Sequence, residues 1–184
     1  TILVPNPPTA AAVYEIIEHD RPTLFFSVPT NYGMLLAHRR DPDPDFDLSS
    51  IRCAVSAGET LPAALFERFR KRFGIKLLDG LGSTEALHTF ISNRPDAVRP
   101  GSSGLVVPGY EIKIIDQHGQ PVTQGETGLL LIKGDSVCAS YWNQHEKTKQ
   151  TICGPWLHTG DHVRQDSDDF VWYAGRADDM LKVG

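Results

Sequence analysis

The sequence predicts an α/β subdomain, a parallel-type sheet with helices, followed by a mainly antiparallel β subdomain. Up to about residue 100, short apolar runs alternate with stretches of helical spacing. After Pro100 the pattern changes to alternating strands separated by turns rich in Gly, Asp and Ser. The 184 residues, 40% of them hydrophobic, are enough for a real core, since a globule of this size buries roughly 70% of its unfolded surface. The expected organisation is an α/β subdomain over 1–100, a β-rich subdomain over 101–175 and a distinct tail over 176–184.

The elements follow in order. Ala10 to His19 carries Val13, Ile16 and Ile17 at helical spacing, with Thr9 as N-cap and Pro22 beyond the end. Leu24 to Val28 reads as a buried strand stopped by Pro29, and Thr30 is placed to cap a helix through Met34, Leu35 and Leu36. The Asp- and Pro-rich run from Asp41 to Asp47 is a loop, and Ile51 to Ser56 is a strand ending on Gly58. A helix then starts near Pro62, turns Leu65, Phe66, Phe69 and Phe73 to a core, and stops at Gly74. Ile75 to Leu78 is the next strand, and strand–helix–strand units of these lengths imply right-handed crossovers with parallel pairing. In the second half, Glu111–Ile115, Gly128–Lys133, Leu157–Arg164 and Phe170–Ala174 read as strands, and only Gln144 to Ile152 reads as helix. A small barrel or a sheet folded over itself is expected there.

Composition narrows the function. Lys plus Arg number 18 against 23 Asp plus Glu, a formal charge of −5, so a broadly basic surface for nucleic acid or anionic lipid is excluded. No apolar run approaches the ~20 residues that span a bilayer. The cysteines, Cys53, Cys138 and Cys153, are odd in number and far apart, which fits a reducing compartment, the cytoplasm, better than a disulfide framework. A start at Thr1 and a stop just after a polar, Gly-bounded stretch read as a piece of a longer protein.

Three segments carry chemistry. Leu77 to Glu85 follows a strand and is rich in Gly and hydroxyl groups, so its backbone can approach an anion closely. A dinucleotide fingerprint would need glycine where Glu85 stands, and the G-K-S/T tripeptide of a Walker loop does not occur. The same residues also read as an ordinary strand–turn–helix connection capped by Ser83 or Thr84. In the second segment, Trp156 to Asp161, the carboxylate of Asp161 either stabilises a turn or accepts from the two vicinal hydroxyls of a ribose. His158 and His162 are four apart, but Gly160 disfavours a helix between them and a strand would separate them, against zinc ligation. The third segment, Gly175 to Gly184, reads as a solvated linker or a hinge.

Taken together, in this order and spacing, the segments resemble the AMP-forming acid–CoA ligases of the adenylate-forming superfamily, which includes acyl- and aryl-CoA synthetases, luciferases and peptide-synthetase adenylation domains. Gly82-Ser83-Thr84-Glu85 is similar to the superfamily's Y/G-G/S-x-T-E motif. Gly125-Glu126-Thr127-Gly128 through Gly134 and Tyr141-Trp142 resembles its G-E-x-G…G…Y-W/Y stretch. His158-Thr159-Gly160-Asp161 matches its T-G-D motif, and Gly175-Arg176-Ala177-Asp178-Asp179 with Lys182 and Gly184 its hinge motif. The wording Ser56-Ala57-Gly58-Glu59 and Thr84-Glu85-Ala86-Leu87-His88 is most similar to the benzoate–CoA ligase branch.

The resemblance implies an ATP-dependent ligase that joins a carboxylic acid, benzoate or a substituted benzoate, to coenzyme A through an acyl-adenylate, with AMP as leaving group. It implies that Thr84 bonds the α-phosphate, that Glu85 holds Mg²⁺, and that Asp161 with Arg176 holds the ribose. Asp79, Gly58 and Glu59 fall where the adenine is framed. Gly80 and Gly82 would leave flat space for an aromatic ring with His88 at its edge, although His88 also reads as a helix residue satisfied by a neighbouring carbonyl. Asp178 matches the hinge position and Gly184 falls near the coenzyme A channel. The family's phosphate loop, its C-terminal domain with the adenylation lysine and the upstream part of the acid pocket have no counterpart in this sequence, so the chain alone is expected to bind nucleotide weakly and to catalyse nothing. Alkyl-acid activation, peptide-synthetase adenylation and non-catalytic AMP or ATP binding are the competing readings.

Overall fold

The computed structural model describes residues 8–39 and 45–177. The chain divides into two compact units, one ending at Leu78 and the other starting at Asp79. The change of pattern at Pro100 therefore falls inside the second unit.

In the first unit, helix α1 spans Ala10–Asp20, and Thr9 Oγ1 accepts from the Ala12 N–H at 3.2 Å, the expected cap. Strand β1 (Leu24–Ser27) pairs in parallel with β2 (Cys53–Ala57), Leu24 opposite Cys53. Helix α2 (Pro29–Ala37) crosses between them. Its start differs from expectation. Val28 occupies the N-cap position without a side-chain bond, while the Thr30 N–H and hydroxyl both donate to Glu59 Oε2, at 3.1 and 2.6 Å. The first N–H groups of a helix lack internal partners and favour negative charge, so a carboxylate from the turn after β2 replaces the local cap. Helix α3 covers Ala63–Phe73 and ends on Gly74 in the left-handed region. It buries Phe66 and Phe69, and the Phe69 and Tyr32 rings meet edge-on at 5.2 Å. Tyr14, wholly buried, stacks on Phe46 and donates its hydroxyl to the Leu35 carbonyl at 2.6 Å.

Strand β3 spans Leu77–Gly82, running through the glycine-rich segment that the sequence reads as a turn. A single 3-10 turn, Thr84–Ala86, follows, and then β4 (Thr89–Ser92) returns antiparallel, where the sequence reading expects a helix. Strand β5 (Leu105–Val106) pairs with β4. The remaining strands are β6 (Tyr110–Ile115), β7 (Gly128–Gly134), β8 (Ile152–Cys153), β9 (Trp156–Gln165) and β10 (Val171–Arg176). They form an antiparallel sheet ordered β10-β9-β7-β6, with β8 on β9. Helix α4 is short, His145–Thr151. Alternation puts Leu130, Ile132, Leu157, Val163 and Val171 into one core with Phe90 and Ile91 of β4. Among the described residues no helix is long and apolar enough to cross a membrane.

Candidate functional site

The second unit positions most of the candidate residues. At the end of β3 the chain reverses in a very small space. Ser83 N–H donates to the His88 carbonyl at 3.0 Å, and Leu87 adopts φ 69°, uncommon for a branched residue. A side chain at Gly82 would run into the His88 carbonyl and lie 2.8 Å from Thr89 Cα; one at Gly80 would lie 2.9 Å from Thr89 Cγ2. Glycine at these positions thus lets β4 close on β3, so the room left by the missing side chains is taken up by β4. His88 stands exposed beside this hairpin and not on a helix.

The turn is held from several directions. Ala86 is fully buried in the core just described, and its carbonyl accepts from Tyr110 Oη at 3.0 Å and Ser136 Oγ at 2.9 Å. Tyr110 Oη and Ser136 Oγ also lie within hydrogen-bond reach of each other, so their two protons serve three oxygen pairs. The Cys138 N–H donates to the Glu85 carbonyl at 2.7 Å, and Tyr141 Oη donates to Glu85 Oε1 at 2.8 Å. Thr84 is left exposed and Glu85 half-buried. Burial works to raise the Glu85 pKa, but the Tyr141 hydroxyl leads the interactions that hold it below the ordinary glutamate value. Tyr141 is pushed up to about 12, by its own burial and by the carboxylate it serves. An ionised carboxylate held this way, beside an exposed hydroxyl, suits a hard divalent cation.

Asp79 is buried, and only its backbone is fully engaged: its carbonyl accepts from Asn93 N at 2.8 Å and Nδ2 at 3.3 Å. Oδ1 has no hydrogen-bond partner among the described residues. Burial pushes the carboxyl up to about 7, against the pull of the Gly80 N–H.

Asp161 and Arg176 face each other across β9 and β10, Arg176 Nη1 to Asp161 Oδ1 at 3.1 Å. The route of β9 explains this. Between the pairs Leu129–His162 and Leu131–His158, β9 advances four residues while β7 advances two, so Thr159-Gly160-Asp161 bulges from the ladder. Gly160 takes φ 77°, and its missing side chain admits the Arg176 guanidinium, whose Nη2 would be 3.0 Å from a Cβ. Thr159 pins the bulge: its hydroxyl donates to the Leu130 carbonyl at 3.0 Å and accepts from the Asp161 N–H at 3.1 Å. Burial raises the Asp161 pKa more than Arg176 lowers it. His158 and His162 lie on the two flanks of the bulge.

The structure therefore brings Asp79, Gly80, Gly82, Thr84, Glu85, His88, Asp161 and Arg176 into one unit. Gly58 and Glu59 belong to the other, where the Glu59 carboxylate is engaged at the start of α2. Asp178 and Gly184 lie outside the described residues. Sequence reasoning gave no role to Tyr110, Ser136 or Tyr141. Tyr141 stands 56 residues from Glu85, and although it sits in a quoted motif, nothing local signals its partner.

Comparison with known proteins adds an independent line. The sequence profile of the family described as "AMP-binding enzyme" matches residues 1–142. The 4-hydroxybenzoate–CoA/benzoate–CoA ligase of Rhodopseudomonas palustris is 42% identical over 186 aligned residues, covering 100% of this chain and 34% of the relative. Among solved structures, the anthranilate CoA ligase AuaEII in complex with anthranoyl-AMP superposes with a TM-score of 0.89 at 47% identity, covering 95% of this chain and 34% of that one. The O-succinylbenzoate coenzyme A synthetase MenE of Bacillus subtilis, in complex with ATP and magnesium ion, superposes with a TM-score of 0.80 at 28% identity, covering 95% and 36%. The chain thus spans about a third of the length of the proteins it matches.

Proposed function

The chain belongs to the AMP-binding enzyme family, and on that premise we propose that it is the nucleotide-holding part of an AMP-forming aryl–CoA ligase acting on benzoate or a substituted benzoate in the cytoplasm. The observation that carries this reading is the shared core beneath two polar features. Ala86 anchors the Thr84–Glu85 turn in the same cluster as Leu130 and Val163, which flank the Asp161 bulge. A rigid core can hold a phosphate-facing turn and a sugar-facing carboxylate at fixed separation, as adenylation demands.

In this reading the acid's carboxylate attacks the α-phosphate of ATP, pyrophosphate leaves, and the thiol of coenzyme A then displaces AMP from the acyl-adenylate. Thr84, exposed at the turn, donates its hydroxyl to the α-phosphate as negative charge builds there. Glu85 would hold Mg²⁺, which supplies charge neutralisation at the departing pyrophosphate. Asp161 accepts from the ribose hydroxyls, and Arg176 keeps its carboxylate oriented. The unpartnered Asp79 Oδ1 accepts from the adenine amino group. Gly58 and Glu59 are assigned to the adenine by the same family resemblance. The acid lies beside the Gly80–Gly82 backbone and His88, and the stretch around Asp178 is the hinge leading to the coenzyme A channel at Gly184. The names of the matched ligases favour an aryl acid over an alkyl or amino acid.

The test is ATP–pyrophosphate exchange by the full-length enzyme across benzoate, a hydroxybenzoate, octanoate, acetate and several amino acids. Exchange with the aryl acids is expected. Exchange confined to alkyl or amino acids would discard the aryl assignment, and none with any acid would discard adenylation.

A further inference from the structure

Between β7 and β8 the chain makes a detour of its own. Val137 N–H donates to the Gly134 carbonyl, Asn143 turns the backbone at φ 51°, and the short α4 follows. Asparagine tolerates that left-handed conformation better than most residues. From this detour two hydrogen bonds reach the same residue. The Cys138 N–H binds the Glu85 carbonyl at 2.7 Å, fixing its backbone, and Tyr141 Oη binds Glu85 Oε1 at 2.8 Å, fixing its side chain.

Tyr141 is itself held on both sides. Its N–H donates to Thr148 Oγ1 at 3.0 Å, and that hydroxyl donates to the Gln144 carbonyl at 2.9 Å, tying Tyr141 to α4. The Lys147 ammonium lies 4.2 Å from the centre of the Tyr141 ring. A cation over the ring draws electron density from the phenol and strengthens it as a donor. The phenol thus arrives at Glu85 with its position and its polarity already set.

We infer that Tyr141 is a positioning residue for Glu85, and that the strap from Cys138 to Thr151 orients this carboxylate toward its divalent cation. The inference rests on the reading of Glu85 as the Mg²⁺-holding group. A glutamate has three rotatable bonds, and ordering it at each binding event would cost affinity. With Oε1 committed to Tyr141, the carboxylate is held in one orientation. Groups that orient a metal-binding carboxylate in this way typically matter about ten- to a hundred-fold for metal affinity.

The experiment compares the full-length enzyme with Tyr141→Phe and Glu85→Gln. Two quantities are read: the Mg²⁺ midpoint of ATP–pyrophosphate exchange, and Mn²⁺ bound by the enzyme–ATP complex, followed by electron paramagnetic resonance. Tyr141→Phe keeps the ring and the Lys147 contact and removes only the hydroxyl. The expected result is a Mg²⁺ midpoint and a Mn²⁺ dissociation constant each raised about ten-fold or more, while Glu85→Gln weakens Mn²⁺ further. A purely structural tyrosine would lower the amount of active enzyme and leave both values unmoved. If Glu85→Gln shifts them and Tyr141→Phe does not, the positioning role is overturned and the metal role of Glu85 stands. If neither variant shifts them, the metal role itself falls and the inference with it.

Discussion

Arg176 lies across Gly160 to reach Asp161, its Nη1 3.1 Å from Oδ1, while the same nitrogen donates to the Thr159 carbonyl at 3.0 Å. One guanidinium thus braces both the backbone and the carboxylate of a bulge that stands off the β7 ladder. Asp161 is buried and Arg176 half exposed; burial pushes the carboxyl pKa up, and the guanidinium opposes that push without cancelling it.

Asp161→Asn is expected to weaken ATP binding to the full-length enzyme about ten- to a hundred-fold, the loss of one or two hydrogen bonds to a charged acceptor. Isothermal titration with a non-hydrolysable ATP analogue measures it. Unchanged affinity would remove Asp161 from the nucleotide site.

Gly160→Ala tests the bulge itself. The substitution strains a backbone at φ 77° and pushes the Arg176 guanidinium away. We expect a destabilisation of about 1–3 kcal/mol, with ATP binding weakened as well because Asp161 loses its brace. Thermal melting alongside titration checks both effects. A variant as stable as the parent would show that the left-handed turn is not required.

Asp79 gives a pH dependence of defined sign. Its folded value of about 7 lies above the unfolded aspartate value near 4, so the folded state holds the extra proton between them. Its contribution is fully present below about pH 4 and is lost as pH rises to about 7. Asp79→Asn removes this dependence, so the melting temperature of the variant should gain on the parent between pH 5 and pH 8. A difference constant across that range would mean that the carboxyl titrates normally.

Arg72 organises the first unit. Its side chain is 7% exposed, holds both oxygens of Asp45 at 2.6 and 2.7 Å, and donates to the Leu35 and Leu36 carbonyls near the end of α2. Arg72→Met should cost about 2–3 kcal/mol, below the full range for a buried pair because Asp45 is a third exposed. The guanidinium hydrogen bonds hold Asp45 down at about 2, so its stabilisation is present above about pH 4 and lost as pH falls toward 2. The variant's deficit should therefore shrink on acidification, which denaturant unfolding at pH 7 and pH 3 would show. An equal deficit at both would assign the cost to packing alone.

Much of this molecule is legible in its sequence because the signals are local. The cap at Thr9, the stop at Gly74 and the alternation along Glu111–Ile115 are written within a few residues of where they act. The short motifs singled out Thr84, Glu85, Asp161 and Arg176, but divided them among the three expected segments, and the structure puts them in one unit. Other features depend on residues far apart. Glu59 took over the cap at Thr30 from 29 positions away, and β4 replaced an expected helix because Gly80 and Gly82 let a returning strand close on β3. Tyr141 reached Glu85 only once the detour before β8 had folded back. Local hydrogen bonding and hydrophobic period select an element, and sequence records both. Which distant donor meets an acceptor depends on how strands and turns return through space, and only the tertiary structure decides that.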